Sequence, residues 1–125
     1  MPAVAQAKGV RISPRRAGVV AALVRGRSVA DALVILEHTP RRPADHIREV
    51  IKSAQANAEH NHNYQPNSLQ ITEISITPGP RLKRWRAAAR GRALRYQHPT
   101  SHIKVVVDGQ KRQIRKAAPP LKEEK

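Results

Sequence analysis

From Ile74 to Val107 the chain has no acidic residue, yet Arg81, Lys83, Arg84, Arg86, Arg90, Arg92, Arg95 and Lys104 all fall inside that span. A solvated charged face ordinarily interleaves both signs. A segment of one sign cannot fold back and neutralise itself, so any fold must turn it outward, toward a partner of opposite charge. The densest part is "GPRLKRWRAAARGRA", Gly79 to Ala93, which gathers six cations around one tryptophan.

The rest of the composition points the same way. The 125 residues suffice for one domain, and a formal net charge of +15 with a pI near 11.6 marks a polyanion as the natural partner. Apolar residues reach 39% but aromatics only 2%, so the core must be small and built from Val, Ile, Leu and Ala. A chain of this length buries roughly two-thirds of its unfolded surface; the parts left over are expected to order on a partner. The absence of cysteine excludes disulfides, thiolate metal sites and a cysteine nucleophile. "MPAVAQAKGVRIS" lacks the apolar stretch of a signal peptide and the Arg/Ser-rich length of a transit peptide. No run approaches the ~18 apolar residues of a membrane span, and the expected compartment is the cytoplasm.

Ser13-Pro14 reads as a helix start, with Ala17, Val20, Leu23 and Val24 on one face and Gly26 as the stop. Ser28 with Asp31 opens a second helix whose Val29, Ala32, Leu33 and Leu36 share a face, ending before Thr39-Pro40. The third and longest helix starts near Pro40 or Pro43, both acceptable in a first turn. It carries Ile47, Val50, Ile51, Ala54 and Ala58 on one side down to "AEHNHN". Asn61 to Ser68 is a polar loop. The period then changes to two. "LQITEISIT" alternates with a one-residue slip at Thr72-Glu73 that predicts a bulge, and "HIKVVV" alternates again. A shorter strand around "GVRIS" is a third candidate for the sheet. From Asp108 onward no periodic apolar face remains, and the segment reads as a basic tail.

Catalytic chemistry finds little support. The nine acids are scattered, and several lie three or four residues from a cation on a helix, as Asp45 does from Arg41, which is the pattern of surface pairing. His60 and His62, on a continuing helix, would point about 200° apart and lack a third ligand. No glycine-rich phosphate loop is present. The cations are the stronger signal. Arg11, Arg15, Arg16, Arg25 and Arg27 bracket the first helix, and Arg41-Arg42 opens the third. Arginine outnumbers lysine, which suits bidentate phosphate contact. Trp85, with Tyr96, could stack on a nucleobase; Trp85 could equally prop the chain internally. Two conformations compete for the basic stretch. Propensity favours a helix over residues 81–96 with Leu82, Trp85 and Ala89 on one side, a shape suited to a free nucleic-acid- or membrane-binding protein. The strands on either side, with Gly79-Pro80 and Gly91, favour an extended hairpin arm.

The order of these elements resembles the large ribosomal subunit protein twenty-two family. That family pairs a Gly-Pro-x-x-Lys-Arg element with an Arg-Gly-Arg-Ala element, then closes on Thr-Ser-His-Ile and a valine-rich strand. Here these are Gly79, Pro80, Lys83, Arg84, Arg90, Gly91, Arg92, Ala93, Thr100, Ser101, His102 and Ile103. "ALVRGRSVADALVIL" and "SAQANAEHN" also resemble the family's helices, and the match runs from about Val10 to Val107.

The resemblance implies an α+β fold: three helices packed on a small three-stranded antiparallel sheet, with a long β-hairpin protruding at about residues 77–99. It implies one domain over residues 1–107, followed by a basic tail over 108–125. It also implies a structural, non-catalytic role with no cofactor. The implied partners are large-subunit ribosomal RNA, neighbouring ribosomal proteins and the nascent peptide, with no membrane. The cations above, from Arg11 to Lys104 and with His102, would hold the RNA. Leu82, Lys83, Arg84, Ala88, Ala89, Arg90, Gly91 and Arg92 would approach the wall of the nascent-peptide tunnel. Two departures stand out. Ala87-Ala88 replaces a common Pro-Arg, which predicts a less rigid tip, and Trp85-Arg86 is added just before it. The tail has no counterpart in the resemblance; Lys111, Arg112, Arg115 and Lys116 are expected to add RNA contacts.

Overall fold

The computed structural model describes residues 2–110. Helix α1 spans Pro14–Val24, α2 Val29–Glu37 and α3 Arg42–Asn61. Strands β1 (Ala3–Val10), β2 (Gln70–Pro78) and β5 (Ser101–Asp108) form an antiparallel sheet in the order β1-β5-β2. A second, two-stranded sheet joins β3 (Leu82–Ala87) to β4 (Ala93–His98). This is the expected α+β architecture.

The core is built from the predicted residue types. Ile103, Val105 and Val107 of the central strand are fully buried, facing Ile47, Ile51, Leu36 and Val20 in one cluster. Helix α3 packs on β1 and β5. Its inward residues there include Ala54 and Ala58, and those of β1 are Ala3 and Ala5. Small residues on both sides let helix and strand approach closely, so the head closes without large rings. In α1 the buried residues are Ala17, Val20, Ala21 and Val24, whereas Leu23 is exposed. At 100° per residue Leu23 lies about 110° from the middle of that arc, so Ala21 takes the inward place expected for it.

Helix ends follow local chemistry. Ser28 Oγ accepts from the Asp31 N–H at 3.3 Å, the short-acid capping box. Ser13 has the extended backbone of an N-cap but its side chain makes no cap bond. Gly26, at φ +80, provides the left-handed turn that stops α1. The start of α3 falls at Arg42, with Pro43 in the first turn, which decides between the two proline candidates.

The first strand is Ala3–Val10 rather than "GVRIS", because Ala3, Ala5 and Ala7 pair with Val107, Val105 and Ile103. Alanine is a weak strand signal, and burial against α3 overrides it. The slip in β2 is real: the register shifts between Ile71 and Glu73, leaving Thr72 as the extra residue. Ile71 and Ile74 thereby both face the core despite an odd spacing. Finally, Asp108 belongs to β5, and the chain remains tied to the head as far as Gln110. Gln65 N–H donates to the Gln110 carbonyl at 2.8 Å, and Gln110 N–H donates to Ser68 Oγ at 2.9 Å. The tail cations Lys111, Arg112, Arg115 and Lys116 lie outside the described residues.

The polar loop hides a core residue that its composition did not announce. Tyr64 is only 2% exposed, stacks at 6.0 Å on His62, and its hydroxyl hydrogen-bonds Asp108. Burial, and then the Asp108 carboxylate, push the phenol above its usual value of 10.0.

Candidate nucleic-acid interface

The basic stretch is a hairpin, not the alternative helix over 81–96. Six cross-strand pairs run from Leu82↔His98 to Ala87↔Ala93. A helix would have left Leu82, Trp85 and Ala89 with no surface to pack on, whereas two paired strands satisfy their backbone without a core. No residue from Pro80 to Pro99 is buried. The arm therefore stands off the head with both faces open.

The tip is Ala88–Arg92, closed by the Ala88 N–H donating to the Arg92 carbonyl at 2.7 Å. Arg90 and Gly91 take left-handed backbone angles, φ +61 and +69. Ala88, Ala89, Arg90, Gly91 and Arg92 thus occupy the expected end of the arm. Leu82, Lys83 and Arg84 do not: they pair with His98, Gln97 and Tyr96 at the root. From Arg84 to Ala88 a strand rises about 13 Å.

Alternation along the ladder gives the arm two different faces. Arg84 and Arg86 lie with Leu94 and Tyr96 on one, and Trp85 with Arg95 on the other. The Arg95 guanidinium lies over Trp85 at 5.3 Å, and that of Arg86 over Tyr96 at 5.5 Å. Each such contact contributes about 0.5–1 kcal/mol at an exposed site. Trp85 is 64% exposed, so it does not prop the head. Arg81 donates to the Gln97 side chain and Arg84 to the Lys83 carbonyl. Among the described residues no acid offsets any of these charges, and the one ion pair is Asp45–Arg48 at 3.7 Å, in α3. Asp45 pairs there with Arg48, not with the expected Arg41, which precedes the helix in extended backbone.

The arm's root is fixed by a small clasp. Gly79 N–H donates to the Thr100 carbonyl, and the Thr100 hydroxyl donates to the Pro80 carbonyl. His102 Nδ1 accepts from Gly9 N–H at 3.1 Å. His102 therefore braces the junction of β1, β5 and the arm through Nδ1.

The head's cations divide into two groups. Arg11, Arg15, Arg16, Arg41 and Arg42 are exposed, and their side chains have no partner among the described residues. Arg25 donates to the Ile74 carbonyl at 3.0 Å and Arg27 to the Leu23 carbonyl at 3.0 Å, closing the C-terminal end of α1. The two groups are separated by the roughly 16 Å length of that helix. They form two patches where the sequence suggested one. Lys104 lies on the sheet face opposite the core, between Gln6 and Ser75. His60 lies in the last turn of α3 and His62 is its C-cap residue. No group of three or more metal-ligating side chains converges among the described residues, and no helix is long and apolar enough to cross a membrane.

Comparison with known proteins bears directly on this architecture. The model of the family described as Ribosomal protein L22p/L17e matches residues 5–108. Large ribosomal subunit protein uL22 of Clostridioides difficile (strain 630) is 50% identical over 111 residues, covering 89% of this chain and all of that protein. The class is thereby defined: a structural, non-enzymatic protein of the large ribosomal subunit, at work in the cytoplasm as part of the ribosome. Within that class, the chain belongs to the ribosomal protein L22p/L17e family.

Proposed function

We propose that the chain binds large-subunit ribosomal RNA through the unpaired arginines of its head and arm, and that the tip of the arm lines the nascent-peptide tunnel. The carrying observation is the arm itself, an exposed two-stranded ladder of cations with no acid paired to it among the described residues. RNA phosphates on both faces would neutralise it, and flanking ribosomal proteins would meet the remaining head surface. Arg81, Lys83, Arg84, Arg86, Arg92 and Arg95 are the arm's contacts, while Arg11, Arg15, Arg16, Arg41, Arg42 and Lys104 are the head's. Residues 1–107 act as one binding unit. Arg25, Arg27 and His102 serve mainly to hold the fold.

Titration of the full chain with large-subunit ribosomal RNA across a salt series tests the RNA reading. Each phosphate neutralised adds about 0.7–0.9 to the negative slope of log affinity against log salt. A steep slope is expected; salt-independent binding would refute it. The tunnel reading has its own test. The chain lacks cysteine, so Ala89→Cys provides a unique crosslinking point. In assembled ribosomes it should capture a nascent peptide, whereas capture of RNA alone would place the tip elsewhere.

A further inference from the structure

Where the root of the arm meets the first turns of α1 and α3, an open cleft of about 620 Å³ is walled by Ile12, Pro43 and Pro99 and rimmed by Arg11, Arg16 and Arg42. The His98 ring and Ser13 complete it. A smaller hollow of about 290 Å³, lined by Arg16, Arg41, Arg42 and Pro43, adjoins it. The volume falls within the ~300–1,000 Å³ of small-ligand sites. No acid lines either hollow. The arginine side chains are exposed and without partners among the described residues, and neither helix has a side-chain cap on its first-turn N–H groups.

This combination goes beyond a generally basic surface. Phosphates alone require only the rim. The apolar walls and an imidazole ring suit a flat heterocycle, and an arginine plane beside them suits stacking. A paired RNA helix offers phosphates and sugars but keeps its bases stacked inside, so it could not fill the cleft. We infer that the cleft takes one unstacked nucleotide of single-stranded RNA, its base against Pro43, Pro99 and His98 and its phosphates on Arg11, Arg16 and Arg42. The strand continues past Arg41 through the smaller hollow. This inference rests on the RNA-binding reading above and names the kind of RNA the head selects.

The test uses the full chain and large-subunit ribosomal RNA. Ser13→Cys, the chain's only thiol and at a position whose side chain makes no cap bond, is loaded with an iron chelate that cleaves nearby RNA. Cleavage should fall on a few consecutive nucleotides of one unpaired segment. Cleavage on both strands of a duplex would overturn the inference. The Arg16→Gln/Arg42→Gln double variant should weaken RNA binding about tenfold and lower the salt slope. It should not lower the thermal unfolding temperature, since neither side chain has a partner among the described residues. Affinity within about twofold of the parent would also overturn it. The control pair Arg84→Gln/Arg92→Gln separates the two failures. If only the arm variant loses affinity, the cleft inference falls alone; if neither does, the RNA-binding reading falls with it.

Discussion

At Gly79 a single hydrogen atom decides whether the arm can leave the head. A Cβ built there would meet Thr100 Oγ1 at 2.6 Å and His102 Cε1 at 3.1 Å. Thr100 is held by its bond to Pro80, and His102 by its bond from Gly9. Neither can swing aside without breaking the clasp. Gly79→Ala is expected to cost about 1–3 kcal/mol, measurable by urea unfolding, whereas Ala in place of a solvent-facing arm residue should cost little. Tyr64 predicts a pH effect. Its phenol titrates higher in the folded chain than in the unfolded one, because burial and the Asp108 carboxylate both disfavour the anion. Its contribution is therefore complete below pH ~10 and lost as pH rises through the folded value. Tyr64→Phe should flatten the alkaline fall in stability above pH ~10, read from thermal melts across that range. The sequence could not reveal this residue's place, since a tyrosine inside "NHNYQPNS" looks solvated until a strand 44 positions away brings Asp108 beside it.

Among the elements, periodicity read from the sequence served well wherever it was strong. All three helices and the bulge in β2 were legible because each repeats its apolar spacing over several residues. The first strand was not, because its inward residues are alanines, whose small side chains give no alternation in hydrophobicity. The two helix starts were drawn alike from Ser13 and Ser28, yet only Ser28 makes its bond. Ser28→Ala should cost about 1 kcal/mol and Ser13→Ala close to nothing, compared by denaturant midpoint. The arm offers a dynamic prediction. Its ladder lacks support from any core, so amide exchange across β3 and β4 in the free chain should far exceed that of β5. Slow exchange in the arm would mean that its cross-strand contacts suffice without RNA. Trp85 and Arg95, which stack on each other across the ladder, are the candidates to test there. The rest of the candidate site was only half legible. Charge in the sequence named the arginines, but the cleft needs Ile12, Pro43 and Pro99 brought together from three distant parts of the chain.

For the whole molecule, charge of one sign and a single weak ion pair among the described residues make salt a stabiliser of the free chain. Screening removes far more repulsion than attraction. The melting temperature without RNA should rise with added salt, while affinity for RNA falls, so the two measurements should move in opposite directions. A chain held together by surface ion pairs would show both falling. The sheet order carries a further consequence. β1 and β2 never touch; each is paired only through β5, so Ala3 waits for Val107. The head thus has no stable half. Its opening strand stays without a backbone partner until nearly all of the chain has been synthesised, and closure then joins the most distant segments at once. Such a topology folds late and slowly, and in the interval the proposed RNA-binding arm is already exposed while the head is still open.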